Sequence, residues 1–570
     1  METTNLTKIK REKLLKTISE IKKNITDEET LNNLSLIENE LTKKKYGLVW
    51  EEHIESVDKE LETQIPTFEE VKEKEIVLNE KNSFNFLLEG DNLHSLYLLE
   101  KTHSNKIDLI YIDPPYNTGN KDFVYSDDTV DLDDGFRHSK WLSFMARRLK
   151  IARKLLSNRG VIFISIDDNE QSQLKLLCDE IFGEEHFLGL ITVVGNPRGR
   201  DYGGIAKMND YLIVYSKTND YVLNKVNDEE HKFKTEDEYG GFELRELRNR
   251  NIKFNDQNRP NLCYPFYVNP KNIDENGLLE ISLEEREGYV KVMPALSQGI
   301  QTVWRWGKEK SLKNLNINIK GKAMKEKDRY MIVEKYRDEK VMPRSVWWDK
   351  DTNTEKGTLL LKEILGDKSF DYPKPVELIR RIVEMGTDEN SLVLDFFAGS
   401  GTTGQAVMSL NKIDGGNRHF ILCTNNENNI CENVTYRRLY NVITGYKNSR
   451  GEKIKEFDDI NLKYYKCTNV PRINTENNYL HNNLLKNIKN LIQLENGINI
   501  DDKKIKVYLK EEEFDLMTNN IEELKECEKL YISSDILMTQ EQEKLLSNNN
   551  IELFIIPEYY FKDEIMEVVE

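Results

Sequence analysis

One short segment, residues 108–119, constrains the fold of this chain more than any other stretch. Its first half, residues 108–112, is an apolar β-rich run, which is typical of a buried parallel strand. Its second half is a polar turn that begins Asp113-Pro114-Pro115-Tyr116, and the two prolines stiffen it and remove backbone N–H donors. Functional groups of open α/β sheets lie at the carboxyl ends of strands. The segment therefore predicts an α/β fold with a candidate site in this turn.

The sequence around this segment alternates between strand and helix patterns. Besides the strand at 108–112, we predict strands at 84–88 and 160–167 and helices at 93–102, 139–157 and 169–182, with a closing hairpin formed by 191–194 and 211–215. The rhythm stops at about residue 218 and returns with a helix from 373, strands at 391–395 and 419–423, and a helix between them. This βαβα order predicts a doubly wound parallel sheet interrupted by an insert.

The same pattern predicts the domain limits. We expect an N-terminal arm of amphipathic helices at 1–75, a first half of the sheet domain at 76–217, an insert at 218–368, a second half at 369–446 and a small separate α/β domain at 451–570.

Composition excludes several classes of protein. Of the 570 residues, 32% are charged and 38% are apolar, and no apolar run approaches the ~20 residues that span a bilayer. The N-terminus lacks the apolar stretch of a signal peptide. The 6 cysteines are scattered without a C-x-x-C pair, which indicates reduced thiols and no zinc site. We therefore expect a cytoplasmic protein without a bound metal or a membrane partner.

The charge distribution is uneven. A net charge of −18 argues against a nucleic-acid partner, yet residues 291–350 carry 15 Lys and Arg against 7 Asp and Glu. Basic and aromatic residues are interleaved in this stretch, and a glycine-rich loop at 195–204 carries two further arginines. A polyanion site and a solvated lysine-rich face both remain open from charge alone. The candidate DNA-contacting residues are Arg198, Arg200, Trp304, Arg305, Lys308 and Arg344.

A second candidate site is the glycine loop that follows the predicted strand 391–395. Gly399 and Gly401 let the backbone approach a ligand, and the next helix directs its N–H groups there. The G-x-G-x-x-G pattern also matches a dinucleotide loop, but no P-loop Lys follows and the next strand ends without an early acid. A cofactor loop and a glycine turn needed only for packing both remain open.

If the two βα blocks form one sheet, the turn and the glycine loop face one crevice. A carboxylate, a ring and a cofactor beside a basic module suggest group transfer to a base. The exocyclic amine of adenine becomes a better nucleophile when acceptors hold its hydrogens, and the Asp113 carboxylate and the Pro114 carbonyl are such acceptors. Tyr116 offers a stacking face for an extruded base.

These motifs closely resemble the DNA amino-methyltransferases that use S-adenosylmethionine, in their permuted β order. The resemblance covers about residues 80–440 and rests on residues 113–119 and 395–403, with supporting matches at 90–93, 138–145, 165–170, 345–358 and 372–379. It implies a Rossmann-like methyltransferase sheet whose insert recognises the target. Because Asp opens the Pro-Pro-Tyr motif, it also implies methylation of adenine N6.

The resemblance also implies roles for individual residues. It gives the catalytic turn as Asp113, Pro114, Pro115 and Tyr116, and the cofactor site as Asp91, Asn92, Asp113, Lys374, Asp395, Phe396, Phe397, Gly399, Ser400, Gly401 and Thr402. The family often has an acid for the cofactor ribose after the next strand, whereas this chain has Thr424, Asn425 and Asn426 there.

The helical N-terminus, the length and the extra C-terminal domain resemble the modification subunits of type III restriction–modification systems. This implies a homodimer that acts on double-stranded DNA and pairs with a separate restriction subunit carrying helicase and nuclease activities. The alternatives are a cytosine-N4 methyltransferase and a catalytically idle DNA-specificity subunit. A dinucleotide oxidoreductase would leave the Pro-Pro-Tyr turn and the insert unexplained.

Overall fold

The structure is a computed structural model of the chain. It describes residues 6–23, 25, 27–42, 50–51, 53–119, 124–125, 128–129, 134–199, 204–227, 233–326, 328–338, 340–455, 457–471, 477–520 and 525–556. The chain divides into two compact units, the first formed by Met1–Asn224 with Arg344–Glu570 and the second by Lys225–Pro343.

A ten-stranded sheet organises the first unit. Its strands in chain order are β1 (Gln64–Glu70), β2 (Phe84–Glu89), β3 (Ile107–Ile112), β4 (Leu156–Ile166), β5 (Phe187–Val194), β6 (Asn209–Ser216), β7 (Val346–Trp347), β8 (Leu392–Asp395), β9 (His419–Thr424) and β10 (Asn461–Pro471). The spatial order is β1-β10-β2-β9-β8-β3-β4-β6-β5-β7.

The centre of this sheet is parallel, as the sequence predicts. β2, β9, β8, β3 and β4 pair parallel in that order, and β6 and β5 add the predicted antiparallel hairpin. The apolar residues of β3 are buried on both sides, which explains its unbroken hydrophobic run. β3 and β8, which come from the two separate βα blocks, are direct neighbours.

The helices of the first unit follow the strands. Their bounds are Leu6–Lys22, Glu28–Thr42, Ser56–Thr63, Asn92–His103, Arg137–Leu155, Gln171–Phe182, Thr354–Leu365, Val376–Gly386, Thr402–Asp414, Arg437–Thr444, Asn477–Asn496, Glu511–Thr518 and Gln540–Asn548. Two-residue strand pairs are also present (Val124–Tyr125 with Asp128–Thr129, and Tyr446–Lys447 with Lys453–Ile454). Within the described residues, none of the helices combines the length and the apolar character that a bilayer span needs.

The structure differs from the predicted limits at both ends of the sheet domain. β1 lies in the predicted helical arm, β10 lies in the predicted C-terminal domain, and the two strands pair with each other in the main sheet. Lys463 explains why β10 was not expected there, since this charged residue is fully buried and pairs with Glu70 and Glu75. The tail contributes a separate three-stranded parallel sheet only from Ile505–Tyr508, Lys529–Ile532 and Glu552–Ile555.

The insert is also narrower than predicted and contains a sheet of its own. Residues 344–368 belong to the first unit, where β7 pairs parallel with β5. The second unit contains a seven-stranded sheet of Thr235–Asp237, Gly240–Glu246, Phe266–Ile273, Leu279–Ser282, Val290–Val292, Ile319–Ala323 and Tyr330–Tyr336. This unit also contains helix Lys308–Lys313 and four short strands, Val226–Asn227, Leu296–Ser297, Ile300–Gln301 and Lys340–Val341.

Candidate active site

The neighbouring positions of β3 and β8 bring the two candidate loops of the first unit together. The turn after β3 and the glycine loop after β8 line one cavity of about 650 Å³. Asp113, Tyr116 and Lys374 lie on its wall together with Asp395, Gly399 and Thr402. The sequence-based expectation that both loops face one crevice is therefore confirmed.

The Asp113 turn is held by side chains from distant parts of the chain. The Tyr116 hydroxyl donates a hydrogen bond to Asp113 Oδ1 over 2.7 Å. The indole N–H of Trp141 donates to the carbonyl of Pro115 over 2.8 Å. Burial, reinforced by the Asp113 carboxylate, raises the pKa of Tyr116 well above its usual value. The Tyr116 hydroxyl therefore stays protonated and available as a donor.

Lys374 is a largely buried cation of this cavity wall, which also contains Lys207. Its Nζ lies 3.4 Å from Asp113 Oδ1, 3.4 Å from Asp210 Oδ2 and 2.6 Å from the Tyr116 hydroxyl. Burial alone would lower the pKa of Lys374, but the two carboxylates outweigh it and the pKa is raised. Lys374 is thus an ammonium ion that partly neutralises two acids.

The glycine loop is shaped by its backbone. Gly399 and Gly401 have φ angles of 48° and 75°, in the left-handed region where glycine is free of Cβ strain. Gly401 is the N-cap of helix Thr402–Asp414, and a Cβ there would lie 3.1 Å from Thr435 Cγ2. This helix begins at the cavity wall, so its first N–H groups can serve a bound anionic or polar group.

Two buried ionisable side chains, Arg438 and Asp395, hold the glycine loop through hydrogen bonds. Arg438 is fully buried and donates to Ser400 Oγ over 3.1 Å and to Thr402 Oγ1 over 2.7 Å. Burial lowers the pKa of Arg438 to about 9. Asp395 accepts hydrogen bonds from the Phe397 N–H and the Thr403 hydroxyl. Burial raises the pKa of Asp395 to about 7.

Asp91 and Asn92 lie at the end of β2. The Asp91 carboxylate caps helix Asn92–His103 by accepting a hydrogen bond from the Leu93 N–H. Asn92 donates to the Phe396 carbonyl over 3.0 Å and accepts from buried Arg148. Arg148 in turn pairs with Glu55, so the helical segment before β1 stabilises this corner.

Several residues proposed from sequence are not placed as expected. The Phe396 ring is fully buried, so only its backbone can face a ligand, whereas Phe397 lines the cavity. Trp304 is a core residue of the second unit, 2% exposed, and its indole N–H donates to the Tyr264 carbonyl. It is therefore not a DNA contact. Its spacing beside Arg305 and Trp306 resembled a binding surface because aromatic residues mark cores and interfaces alike.

The basic candidates are distributed over both units. Arg198 and Arg344 are exposed in the first unit, and Lys308 is exposed in the second. Arg305 binds Glu334 over 2.6 Å and the Glu246 carbonyl. Arg200 lies outside the described residues.

The sequence did not reveal some residues of the cavity wall. Asn209 and Asp210 open β6, and because β6 is antiparallel to β4, its first residues lie at the same edge as the carboxyl ends of the parallel strands. The predicted hairpin with a polar Asn-Asp pair before its second strand was an available signal. Phe370 also lines the cavity from a segment without a recognisable pattern, and Tyr372 lines it at the start of the matched segment 372–379, where no role was predicted for it.

Comparison with known proteins adds independent findings. A family model described as DNA methylase matches residues 107–436, which is more than half of the chain. The EcoPI Mod subunit of a type III restriction-modification enzyme, from Escherichia phage P1, is 39% identical over 61% of this chain and 58% of its own length. The StyLTI Mod subunit from Salmonella typhimurium is 33% identical over 64% of this chain and 56% of its own length.

A shorter relative is covered more completely. The type II methyltransferase M.KpnI from Klebsiella pneumoniae is 35% identical over 66% of this chain and 88% of its own length. A crystal structure of an M1.HpyAVI–SAM complex aligns at 16% identity and a TM-score of 0.30, over 62% of this chain and 98% of that one. The chain thus spans less than two thirds of the two Mod subunits and most of M.KpnI. With the family match across both candidate loops, the chain belongs to the N6/N4 DNA methylase family.

Proposed function

We propose that this chain transfers a methyl group from S-adenosylmethionine to N6 of an adenine flipped out of duplex DNA. The observation that carries the proposal is that the Asp113 carboxylate and the glycine loop line one cavity. Membership of the DNA methylase family and the likeness to Mod subunits and M.KpnI support the same reaction.

The cavity fits the cofactor in size and chemistry. Its volume of about 650 Å³ lies within the ~300–1,000 Å³ of small-molecule sites. Gly401 packs closely against Thr435, since a Cβ there would lie 3.1 Å from Thr435 Cγ2, whereas Gly399 and Ser400 expose the loop to the cavity. The cavity-lining residues proposed to hold the cofactor are Asp113, Lys374, Asp395, Phe397, Gly399, Ser400 and Thr402. The other proposed cofactor residues, Asp91, Asn92, Phe396 and Gly401, are not part of the cavity lining and adjoin it through the chain and through the hydrogen bond from Asn92 to the Phe396 carbonyl. When bound, S-adenosylmethionine supplies an electrophilic methyl carbon.

The residues of the turn prepare the amine. The adenine amine would donate its hydrogens to the Asp113 carboxylate and the Pro114 carbonyl, which leaves its lone pair free to point into the cavity. Tyr116 supplies a ring against which the extruded base stacks. Holding the amine in line with the methyl group accounts for several kcal/mol of the rate enhancement through proximity.

The Asp113 carboxylate already has hydrogen-bonding partners in the structure, and these contacts must rearrange when the adenine binds. Asp113 Oδ1 faces the Tyr116 hydroxyl and the Lys374 ammonium. Because Lys374 also contacts Asp210, it can remain paired with Asp210 while Asp113 turns to the amine. Asp210 is therefore proposed to stabilise Lys374 during the reaction.

Incubating the purified chain with duplex DNA and methyl-labelled S-adenosylmethionine tests the reaction. Digestion of the DNA to nucleosides followed by mass spectrometry should find the label in N6-methyladenosine. Label in N4-methylcytosine would instead establish the cytosine enzyme. Absence of label from DNA, with the chain folded and the cofactor bound, would favour a catalytically idle specificity subunit.

DNA binding is proposed to involve both units. The exposed side chains Arg198, Lys308 and Arg344 are candidates for phosphate contacts, and the second unit is the candidate for target recognition. Each phosphate contact should contribute about one unit to the slope of log affinity against log salt concentration. Lys308→Ala should lower this slope by about one, while an unchanged slope would remove Lys308 from the interface.

The partners are proposed from the named relatives. The EcoPI and StyLTI proteins are Mod subunits of type III enzymes, so we propose that this chain is a modification and specificity subunit, forms a homodimer and associates with a restriction subunit. Sedimentation of the purified chain should give twice the mass of one chain. A monomer that methylates at full rate would contradict the dimer.

A further inference from the structure

The backbone just after the catalytic turn adopts an unusual conformation. Asn117 has a φ of 58°, in the left-handed region, which asparagine adopts more readily than other non-glycine residues. Its side chain is buried, with 1% exposure, although it follows directly on the cavity-lining Tyr116. A buried polar side chain in this conformation needs partners that hold it.

The principal partner of Asn117 is the carboxyl group of Glu170. Asn117 Nδ2 donates to Glu170 Oε1 over 2.5 Å and to the Arg137 carbonyl over 3.3 Å. Glu170 is fully buried and precedes helix Gln171–Phe182, four residues after β4 ends. The same Glu170 oxygen lies 2.6 Å from His138 Nδ1, on the helix whose Trp141 binds Pro115. Glu170 thus holds the turn at Asn117, and Trp141 holds it at Pro115.

This arrangement lowers the stability of the fold. Glu170 Oε2 and Asn117 Oδ1 are buried without a hydrogen-bond partner among the described residues. A buried polar group left unsatisfied costs about 1–3 kcal/mol. Burial also raises the pKa of Glu170 to about 8, which reports how poorly the site tolerates the charge. A buried, perturbed carboxyl group kept at a cost in stability beside the candidate active-site turn is a candidate for a functional role.

We propose that Glu170 is a positioning residue for methyl transfer. It holds the Asn117 amide, and through Asn117 it fixes the backbone that carries Tyr116 and Asp113. Glu170 does not line the cavity, so it acts on the rate without touching the base or the cofactor. The inference rests on the proposed methyl transfer and adds a residue to its machinery.

Four variants of the full chain test this proposal by steady-state methyl transfer to duplex DNA. Glu170→Ala should lower kcat by about tenfold or more and leave KM for cofactor and DNA within about twofold, because misplaced reacting groups slow the chemical step. Glu170→Gln keeps an oxygen that accepts from Asn117 and should restore most of kcat. Asn117→Gly keeps the left-handed backbone and should slow transfer as Glu170→Ala does. The double variant Glu170→Ala with Asn117→Gly should be no slower than Asn117→Gly alone.

A matched control separates positioning from stability. Asp179 is another buried carboxylate, which accepts from Tyr215 and Lys175 away from the turn. Asp179→Asn should lower the unfolding temperature and leave kcat unchanged. Hydrogen exchange of the segment 107–119 gives a readout independent of activity and should become faster in Glu170→Ala but not in Asp179→Asn.

The outcomes are distinct. Wild-type kcat in Glu170→Ala, unaltered exchange of residues 107–119, or losses that multiply in the double variant would each overturn the role of Glu170. An inactive wild-type chain would instead refute the proposed function, and the exchange measurement would still decide whether Glu170 positions the turn.

Discussion

The two loops that line the cavity are built in opposite ways. The Asp113 turn is fixed by side chains: Trp141 binds Pro115, Glu170 binds Asn117, and Lys374 faces Asp113. The glycine loop takes its shape from left-handed glycines, and the buried guanidinium of Arg438 holds that shape through Ser400 and Thr402. A turn held by side chains is impaired when atoms are removed. A loop shaped by glycines is impaired when atoms are added.

This difference separates two tasks within one site. The turn presents a carboxylate and a ring, which are groups that act on a nucleophile. The loop presents a bare backbone at the start of a helix, which is suited to hold a polar ligand. Variants of the turn should therefore change kcat, and variants of the loop should change cofactor affinity.

The largest effect should come from removing the acceptor of the turn. Asp113→Ala should lower kcat by about 10³-fold, within the range for loss of a hydrogen-bonding group that stabilises the transition state. Because Asp113 is only one of the proposed cofactor contacts, cofactor affinity measured by calorimetry should fall far less than kcat, and the unfolding temperature should stay close to that of the wild type. A variant that keeps a tenth of the wild-type rate would remove Asp113 from the chemistry.

The next largest effect should come from adding one methyl group to the loop. Gly401→Ala places a Cβ 3.1 Å from Thr435 Cγ2 in a residue with a φ of 75°. We expect cofactor affinity to fall by about tenfold or more, because helix Thr402–Asp414 must shift at its first turn. Equilibrium binding of S-adenosylmethionine measures this.

Gly415 is the matched control for that change. It ends the same helix with a φ of 73°, and a Cβ there would meet no atom within 4 Å. Gly415→Ala should therefore cost a similar ~1–2 kcal/mol of backbone strain and leave cofactor affinity unchanged. Equal losses of affinity in both variants would mean that strain, not the shape of the loop, controls binding.

The smallest effect should come from weakening one anchor of the turn. Trp141→Phe removes the indole N–H that donates to Pro115 while keeping most of the buried ring. The free energy of unfolding should fall by about 1 kcal/mol, and kcat should fall by about threefold with KM unchanged. A change in KM for the cofactor without a change in kcat would contradict the assignment of catalysis to the turn and of cofactor binding to the glycine loop.

Much of this site could be predicted from sequence because its chemistry is concentrated in continuous motifs. The Asp113 turn and the glycine loop each follow an apolar strand, and parallel topology requires that both open at the same edge of the sheet. Lys374 could be placed only by resemblance, since a single lysine before a helix carries no pattern of its own.

The residues that sequence missed are those whose partners are distant in the chain. Asp210 lies at the cavity because its strand is antiparallel to its neighbour. Glu170 can act on the turn because folding brings Asn117 beside it. β10 escaped prediction as part of the main sheet because fully buried Lys463 interrupts its apolar pattern. Trp304 is buried, and it was wrongly predicted to contact DNA because composition does not distinguish a buried aromatic residue from an exposed one.

The central claim is that the cavity between the turn and the glycine loop holds the cofactor with its methyl-bearing end towards Asp113. The most direct measurement is a crystal structure of the full chain with a non-reactive analogue of S-adenosylmethionine. We expect the analogue to contact residues 399–402 and to direct the group that replaces the methyl towards the Asp113 carboxylate. An analogue bound outside this cavity, or bound with that group directed away from Asp113, would contradict the claim.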